Sequence, residues 1–548
     1  MFLNFYSLCN LRKKFEELVT NLDHQESKGA AITRKLKKST RGKSPKVSKS
    51  NKIDGLNRPG CDSTLVSTYT KDAVVGGTLY AFDPTTSDSE EEKSWITMSD
   101  GKQFVDLARS AIDAGCSPKR RPHMVLPSPN GKYSVTTYFG DQDFHVLSND
   151  DRAIIACVSC EYIKPSVFGG NVHTGVWLSD ERFMAVDFTG CYNGVCGGVL
   201  SKFEFTTDSN GIIDGSNWLG SLGFEGVADA RGTSATGPIA AGNNPLGNYA
   251  HLHFISDSKG AGSIMNSTDM TWVKHFDVSE FGSCAGGGLW IYPHPTNGDI
   301  VLVVYGKQGN VDSPGGSCIF KVNMASQTIE DTIQLQDNAD AHGIAYCRRS
   351  VDDTLAAIVT MRQTAEINVL NVDDGSFYLE GYDLNGNIFD ALNITWYDES
   401  YHFGHRGLSS RFFSPYENHR LMPDLVFLHE DWLYITARGP VPVSAVQEQY
   451  FYHNARPGMF AMKIDLATCT PASDQSAAFA VTTFERSPEK TSDVNGLYGV
   501  MSNGNYEIWA IDQAGTGSIQ GYDVYSACLS YDSVADPSPP QLIGGDQD

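Results

Sequence analysis

One degenerate unit recurs along most of this 548-residue chain and restricts the folds open to it. A His opens an apolar run, a short polar turn follows, and a β-rich run comes next. A further strand then ends in Asp or Asn. It reads His123-Met-Val-Leu-Pro-Ser-Pro-Asn-Gly-Lys with Tyr133-Ser-Val-Thr-Thr-Tyr, and again His173-Thr-Gly-Val-Trp-Leu-Ser-Asp with Phe183-Met-Ala-Val-Asp-Phe. A third copy is His342-Gly-Ile-Ala-Tyr, then Leu355-Ala-Ala-Ile-Val-Thr and Glu366-Ile-Asn-Val-Leu-Asn-Val-Asp. Repeated β units that cannot bury both faces alone imply a radial or solenoidal stack. Closing that stack into a ring protects the strand edges. It also brings equivalent residues of separate units to one place.

The expected fold is therefore all-β, a seven-bladed β-propeller over 75–540, with an eighth blade left open. Units are placed to begin near His123, His173, His251, Trp290, His342, Asp424 and Gly496, with second strands that include a stretch near Ser263. Third strands are expected to finish at Asp277, Asn323, Asp373, Asp465 and Asp523, and the Gly-rich stretch Thr207 to Asn248 reads as a large insertion. The strand Gly77 to Asp83 has a third-strand pattern with no first strand before it, so it most simply completes the last blade. Phe104 to Ala114 has helical spacing.

Residues 1–65 read as a disordered basic tail or a targeting segment. The first sixty residues hold fourteen Lys and Arg against five Asp and Glu; the remainder holds 28 against 60. An acidic body disfavours nucleic acid as a partner for the propeller. No apolar run reaches the length of a transmembrane helix. Twelve Cys and two sequons, Asn266-Ser-Thr and Asn393-Ile-Thr, favour an extracellular or secretory compartment, with an organelle as the alternative and no clear signal peptide. Cys191 and Cys196 enclose a four-residue turn and are expected to pair. Cys157-Val-Ser-Cys reads as a structural disulfide or two buried thiols rather than a zinc half-site.

The repeat resembles the seven-bladed propellers of the YVTN, lactonase and quinoprotein amine dehydrogenase-like superfamily. His123-Met-Val-Leu-Pro-Ser-Pro-Asn-Gly-Lys carries the resemblance most clearly, and Pro423-Asp-Leu with Ala437-Arg-Gly-Pro-Val-Pro-Val-Ser-Ala is similar to a late blade. The superfamily hosts lactone hydrolases, dehydrogenase subunits, copper-dependent oxidases and scaffolds, so the resemblance implies architecture and leaves chemistry open.

First strands line the channel of a propeller, so His123, His173, His251, His342 and Asp424 are expected at one mouth. Imidazoles and a carboxylate suit copper, zinc or iron, although hydrogen bonding to a neighbouring blade's backbone is the weightier use for such His. His402, His405 and Arg406, with Arg438, form a second set suited to ligand contact. The functional expectation is a propeller binding a small ligand or transition metal at this mouth, with oxidoreductase or hydrolase chemistry open. The alternative is a non-catalytic scaffold for protein or glycan partners.

Overall fold

The second strands Ile300–Gly306 and Leu355–Met361 are apolar at nearly every position, and the structure shows why. Every residue of Ile300–Gly306 and Leu355–Met361 is buried, whereas the outermost strand Thr328–Gln334 of the same blade as the former is mostly exposed. A strand covered on both faces by neighbouring sheets loses the polar alternation that a half-solvated strand keeps. Burial falling radially from inner to outer strands is the signature of sheets packed face to face around an axis.

The structure, a computed structural model, describes residues 78–82, 105–119, 122–138, 141–159, 172–193, 195–224, 237–257, 262–284, 288–306, 316–336, 339–362, 364–384, 387–388, 422–438, 457–482 and 494–512. Among these the strands form seven antiparallel blades. Blade 1 comprises Pro122–Pro127, Tyr133–Tyr138, Phe144–Ser148 and Ala153–Val158, and blade 2 comprises Val172–Ser179, Arg182–Asp187, Val199–Thr207 and Ile213–Gly223. A small hairpin, Cys191–Tyr192 with Val195–Cys196, interrupts blade 2. Blade 3 is Pro238–Gly242, Leu252–Asp257, Gly262–Asn266 and Thr271–His275; blade 4 is Gly288–Pro293, Ile300–Gly306, Ser317–Asn323 and Thr328–Gln334. Blade 5 is Ala341–Arg348, Leu355–Met361, Glu366–Asn371 and Phe377–Asp383. Blade 6 is Met422–His429, Trp432–Arg438 and Pro457–Asp465, edged by Thr470–Pro471 and Phe479–Thr482. Blade 7 takes Val494–Ser502 and Asn505–Asp512 from the late chain and Thr78–Phe82 and Val105–Asp106 from the early chain.

The expected closure is thus present: Thr78 to Phe82 lie antiparallel to Asp512 to Ile508. Blade 7 is fastened to blade 1 by charge as well. Arg152 forks onto the buried Glu507, whose Oε2 also accepts from Trp509 Nε1 at 2.8 Å, and Asp150 Oδ1 accepts from the Asn503 amide. The helix Leu107–Asp113 is capped by Asp106, whose Oδ1 accepts from Ala108 and Arg109 amides at 3.0 and 3.2 Å.

Blade 3 departs from the sequence reading. Its first strand is Pro238–Gly242, so His251 precedes the second strand in an exposed turn, and the stretch near Ser263 is the third strand. Thr207 to Asn248 is accordingly no insertion; it supplies the fourth strand of blade 2 and the first of blade 3. Its small residues, Pro-Ile-Ala-Ala-Gly, lack the His that marks the other units. Asp277 follows a fourth strand, and the third strand of this blade ends at Asn266. The terminal acid or amide of third strands has a turn-forming role: Asn323, Asn371, Asp465 and Asn266 each accept, through Oδ1, the amide two residues on. The tail 1–65, the region of Asp523 and the sequon at Asn393 lie outside the described residues.

Disulfides join Cys116 to Cys157, Cys284 to Cys318 and Cys347 to Cys469. Cys157 therefore pairs with the segment after the helix rather than with its CxxC neighbour. Cys191 is also disulfide-bonded, and Cys196 faces it across the hairpin, the Cys196 side chain lying outside the described residues. No described helix is long and apolar enough to cross a membrane.

Candidate functional site

Each inner strand carries the same irregularity near its start. Register slips between Pro122 and Met124, Val172 and Thr174, Pro238 and Ala240, Gly288 and Ile291, Ala341 and Ile344, Pro423 and Val426, and Val494 and Leu497. A bulge re-aims the side chains it holds. Repeated seven times, it sets His123, His173, Ile239, Leu289, His342, Asp424 and Asn495 at equivalent points of the ring. Trp290, expected at that point of blade 4, occupies the next position of its bulge.

Threonines of the second strands hold this level together. Thr137 Oγ1 donates to the His173 carbonyl at 3.0 Å, one blade on. Thr360 Oγ1 repeats the link, donating to the Asp424 carbonyl at 2.6 Å while accepting from the Gly343 amide at 2.8 Å. Gly343 is required here because a Cβ would meet the Asp424 carbonyl oxygen at 2.9 Å. Gly496 packs likewise against blade 1, where a Cβ would lie 3.1 Å from the Val125 amide nitrogen.

His123 Nδ1 lies 2.7 Å from the His173 carbonyl, and His173 Nδ1 lies 2.7 Å from the Ile239 carbonyl. A carbonyl only accepts, so both imidazoles carry a proton on Nδ1, and in the neutral ring Nε2 is then the acceptor nitrogen. The two rings meet at 4.1 Å. Across them lies the Trp290 indole, stacked at 5.7 Å on His173 and 6.3 Å on His123, and edge-on to His342 at 5.8 Å. Its Nε1 donates to His342 Nε2 at 3.0 Å. Asp424 Oδ1 approaches the same nitrogen to 2.5 Å. An indole only donates and a carboxylate only accepts, so this one nitrogen serves one of them at a time.

Near His342 lies an ion pair between the half-buried Arg362 and the buried Asp340 that the sequence reading missed. Arg362 Nη2 is 2.6 Å from Asp340 Oδ2, and Arg362 Nη1 is 3.8 Å from Asp424 Oδ1. Both partners adjoin recognised elements, Asp340 before the inner strand and Arg362 after the second, which is the signal that could have identified them. Burial lowers the His342 pKa below the ordinary imidazole value, with Asp424 opposing. Tyr292, close enough to Asp424 to feel its charge, is held neutral by burial.

The structure thus gathers His123, His173, His342 and Asp424 from four blades and leaves His251 outside. Arg438 ends its strand opposite Met422, its side chain outside the described residues, as are His402, His405 and Arg406. Trp290 intervenes between the imidazoles and engages His342 Nε2. Among the described residues no three His, Cys, Asp or Glu are arranged to hold a metal ion.

No family model and no curated protein matches this chain. Among solved structures it is similar to a candidate 6-phosphogluconolactonase from Bacteroides fragilis, at 12% identity and a TM-score of 0.42 over 76% of this chain and 97% of that one. It is also similar to the Cps50 (Swd1) β-propeller domain of Myceliophteria thermophila, at 10% identity and a TM-score of 0.34 over 62% of this chain and 86% of that one.

Proposed function

We propose that this propeller, of the YVTN-like kind, binds a small polar ligand at the ring formed by His123, His173, Trp290, His342 and Asp424. One observation carries the reading: three imidazoles from three blades surround one indole and a carboxylate from a fourth reaches the His342 imidazole, with two of the imidazoles oriented by Nδ1–H bonds to the next blade's carbonyls. Acceptors beside an aromatic ring favour a ligand rich in hydrogen-bond donors, such as a polyol or an amine. The Ser128-Pro-Asn-Gly turn supports the YVTN-like assignment, since Asn130 Oδ1 accepts from Ser128 Oγ and the Lys132 amide in a closed network.

The test uses a substitution that separates structure from binding. His173→Asn keeps a donor for the Ile239 carbonyl and removes Nε2. A panel of polyols and amines, followed through tryptophan fluorescence with Trp290→Phe as control, should give a saturable signal in the natural chain. His173→Asn should weaken it at least tenfold with stability within about 1 kcal/mol. Absence of any saturable signal, or equal affinity in His173→Asn, overturns the reading. Stoichiometric copper, zinc or iron in protein purified without chelators would replace it with a metal-centred one.

A further inference from the structure

We infer that Asn266 is an N-glycan acceptor, a modification independent of the ring site. Asn266-Ser267-Thr268 is a sequon at the end of strand Gly262–Asn266, leading into Thr271–His275. Asn266 Oδ1 accepts the Thr268 amide at 2.8 Å. That bond uses the carbonyl oxygen and leaves the Nδ2 hydrogens outside the turn's own hydrogen bond, on a half-buried side chain. Thr268 is exposed, whereas Ser267 between them is buried and anchored, its Oγ donating to the His251 carbonyl at 3.1 Å. Lys202 Nζ holds the turn from behind through the carbonyls of Ser267 and Thr268, at 2.7 and 3.2 Å.

Equivalent turns show that folding does not require this hydroxyl. Asn323, Asn371 and Asp465 make the same side-chain bond at the end of their third strands, to Ala325, Asp373 and Ala467. Only in blade 3 of these four does Asn meet a Thr two residues on. The disulfides Cys116–Cys157, Cys284–Cys318 and Cys347–Cys469 fit the oxidising compartment in which such transfer occurs. In the transfer the Asn266 amide nitrogen bonds to C1 of a lipid-diphosphate-linked oligosaccharide. The C1–O bond to the diphosphate breaks, the lipid diphosphate departs, and one amide proton is released.

The experiment translates the full chain, with a cleavable leader ahead of Met1, into glycosylation-competent microsomes, and maps peptides before and after peptide-N-glycosidase treatment in heavy-oxygen water. The Asn266 peptide should carry a glycan and convert to labelled Asp in the natural chain. Thr268→Ala, which keeps the turn and removes the sequon, should abolish the glycan while leaving the thermal midpoint unchanged. An unmodified Asn266 peptide in the imported natural chain overturns the proposal, as does a glycan that persists at Asn266 in Thr268→Ala.

Discussion

At the scale of single residues, one hydroxyl or one hydrogen decides how adjacent blades meet. Thr360 satisfies a buried amide and donates to the next blade's carbonyl, so Thr360→Val should lose about 1 to 3 kcal/mol, read from urea unfolding. Gly343→Ala forces a methyl against the backbone of blade 6 and should cost about 1 to 3 kcal/mol by the same measurement, for steric rather than polar reasons. Buried imidazoles contribute to the loss of stability in acid. Burial lowers His145 and His253 from 6.5 to about 3. Above pH 6.5 both folded and unfolded chains hold these rings neutral. As pH falls below 6.5 the unfolded chain binds protons that the folded chain refuses, and each His lowers stability by about 1.4 kcal/mol per pH unit until about pH 3. In His253→Gln the slope of stability between pH 6.5 and 4.5 should drop by one proton's worth; an unchanged slope would show that His253 titrates normally in the fold.

At the scale of elements, the bulge and the closing strand matter most. A bulge at the start of every inner strand turns a repeated sequence position into a ring of side chains. Thr78–Phe82 supplies the third strand of blade 7, with Leu79 wholly buried. Deleting Thr78 to Phe82 should expose the edge of Asn505–Asp512 and lower the thermal midpoint steeply, accompanied by self-association in light scattering. A midpoint within a few degrees of the intact chain would show that the ring closes without this strand. The closing strand was legible because its alternating pattern lacked a preceding partner. Blade 3 was not, because Pro238–Gly242 has neither His nor a long apolar run, and His251 copied the marker residue in a turn.

At the scale of the whole molecule, covalent links tie segments that are far apart in sequence. Cys347 and Cys469 join blades 5 and 6 across 122 residues, and Cys116 and Cys157 join the helix end to blade 1 across 41. Non-reducing peptide maps should recover both pairs. Cys347→Ser with Cys469→Ser should destabilise by about 2 to 4 kcal/mol through the freed unfolded chain. Equal stability of the double variant and the natural chain would indicate that the thiols are not joined.

The sequence by itself determined the all-β class, the strands of most blades, the helix, the closing strand and four ring residues, because period-two patterning, turn residues and a marker His act locally. Only the tertiary structure decided which residues those four would meet. Trp290 entering between the imidazoles joins side chains of separate blades, a contact set by the relative rotation of those blades, whereas Arg362 pairing with Asp340 and Cys157 choosing Cys116 over Cys160 depend on how segments fold back beside a single blade. That rotation is set by the summed packing of sheet faces, and no local pattern encodes it.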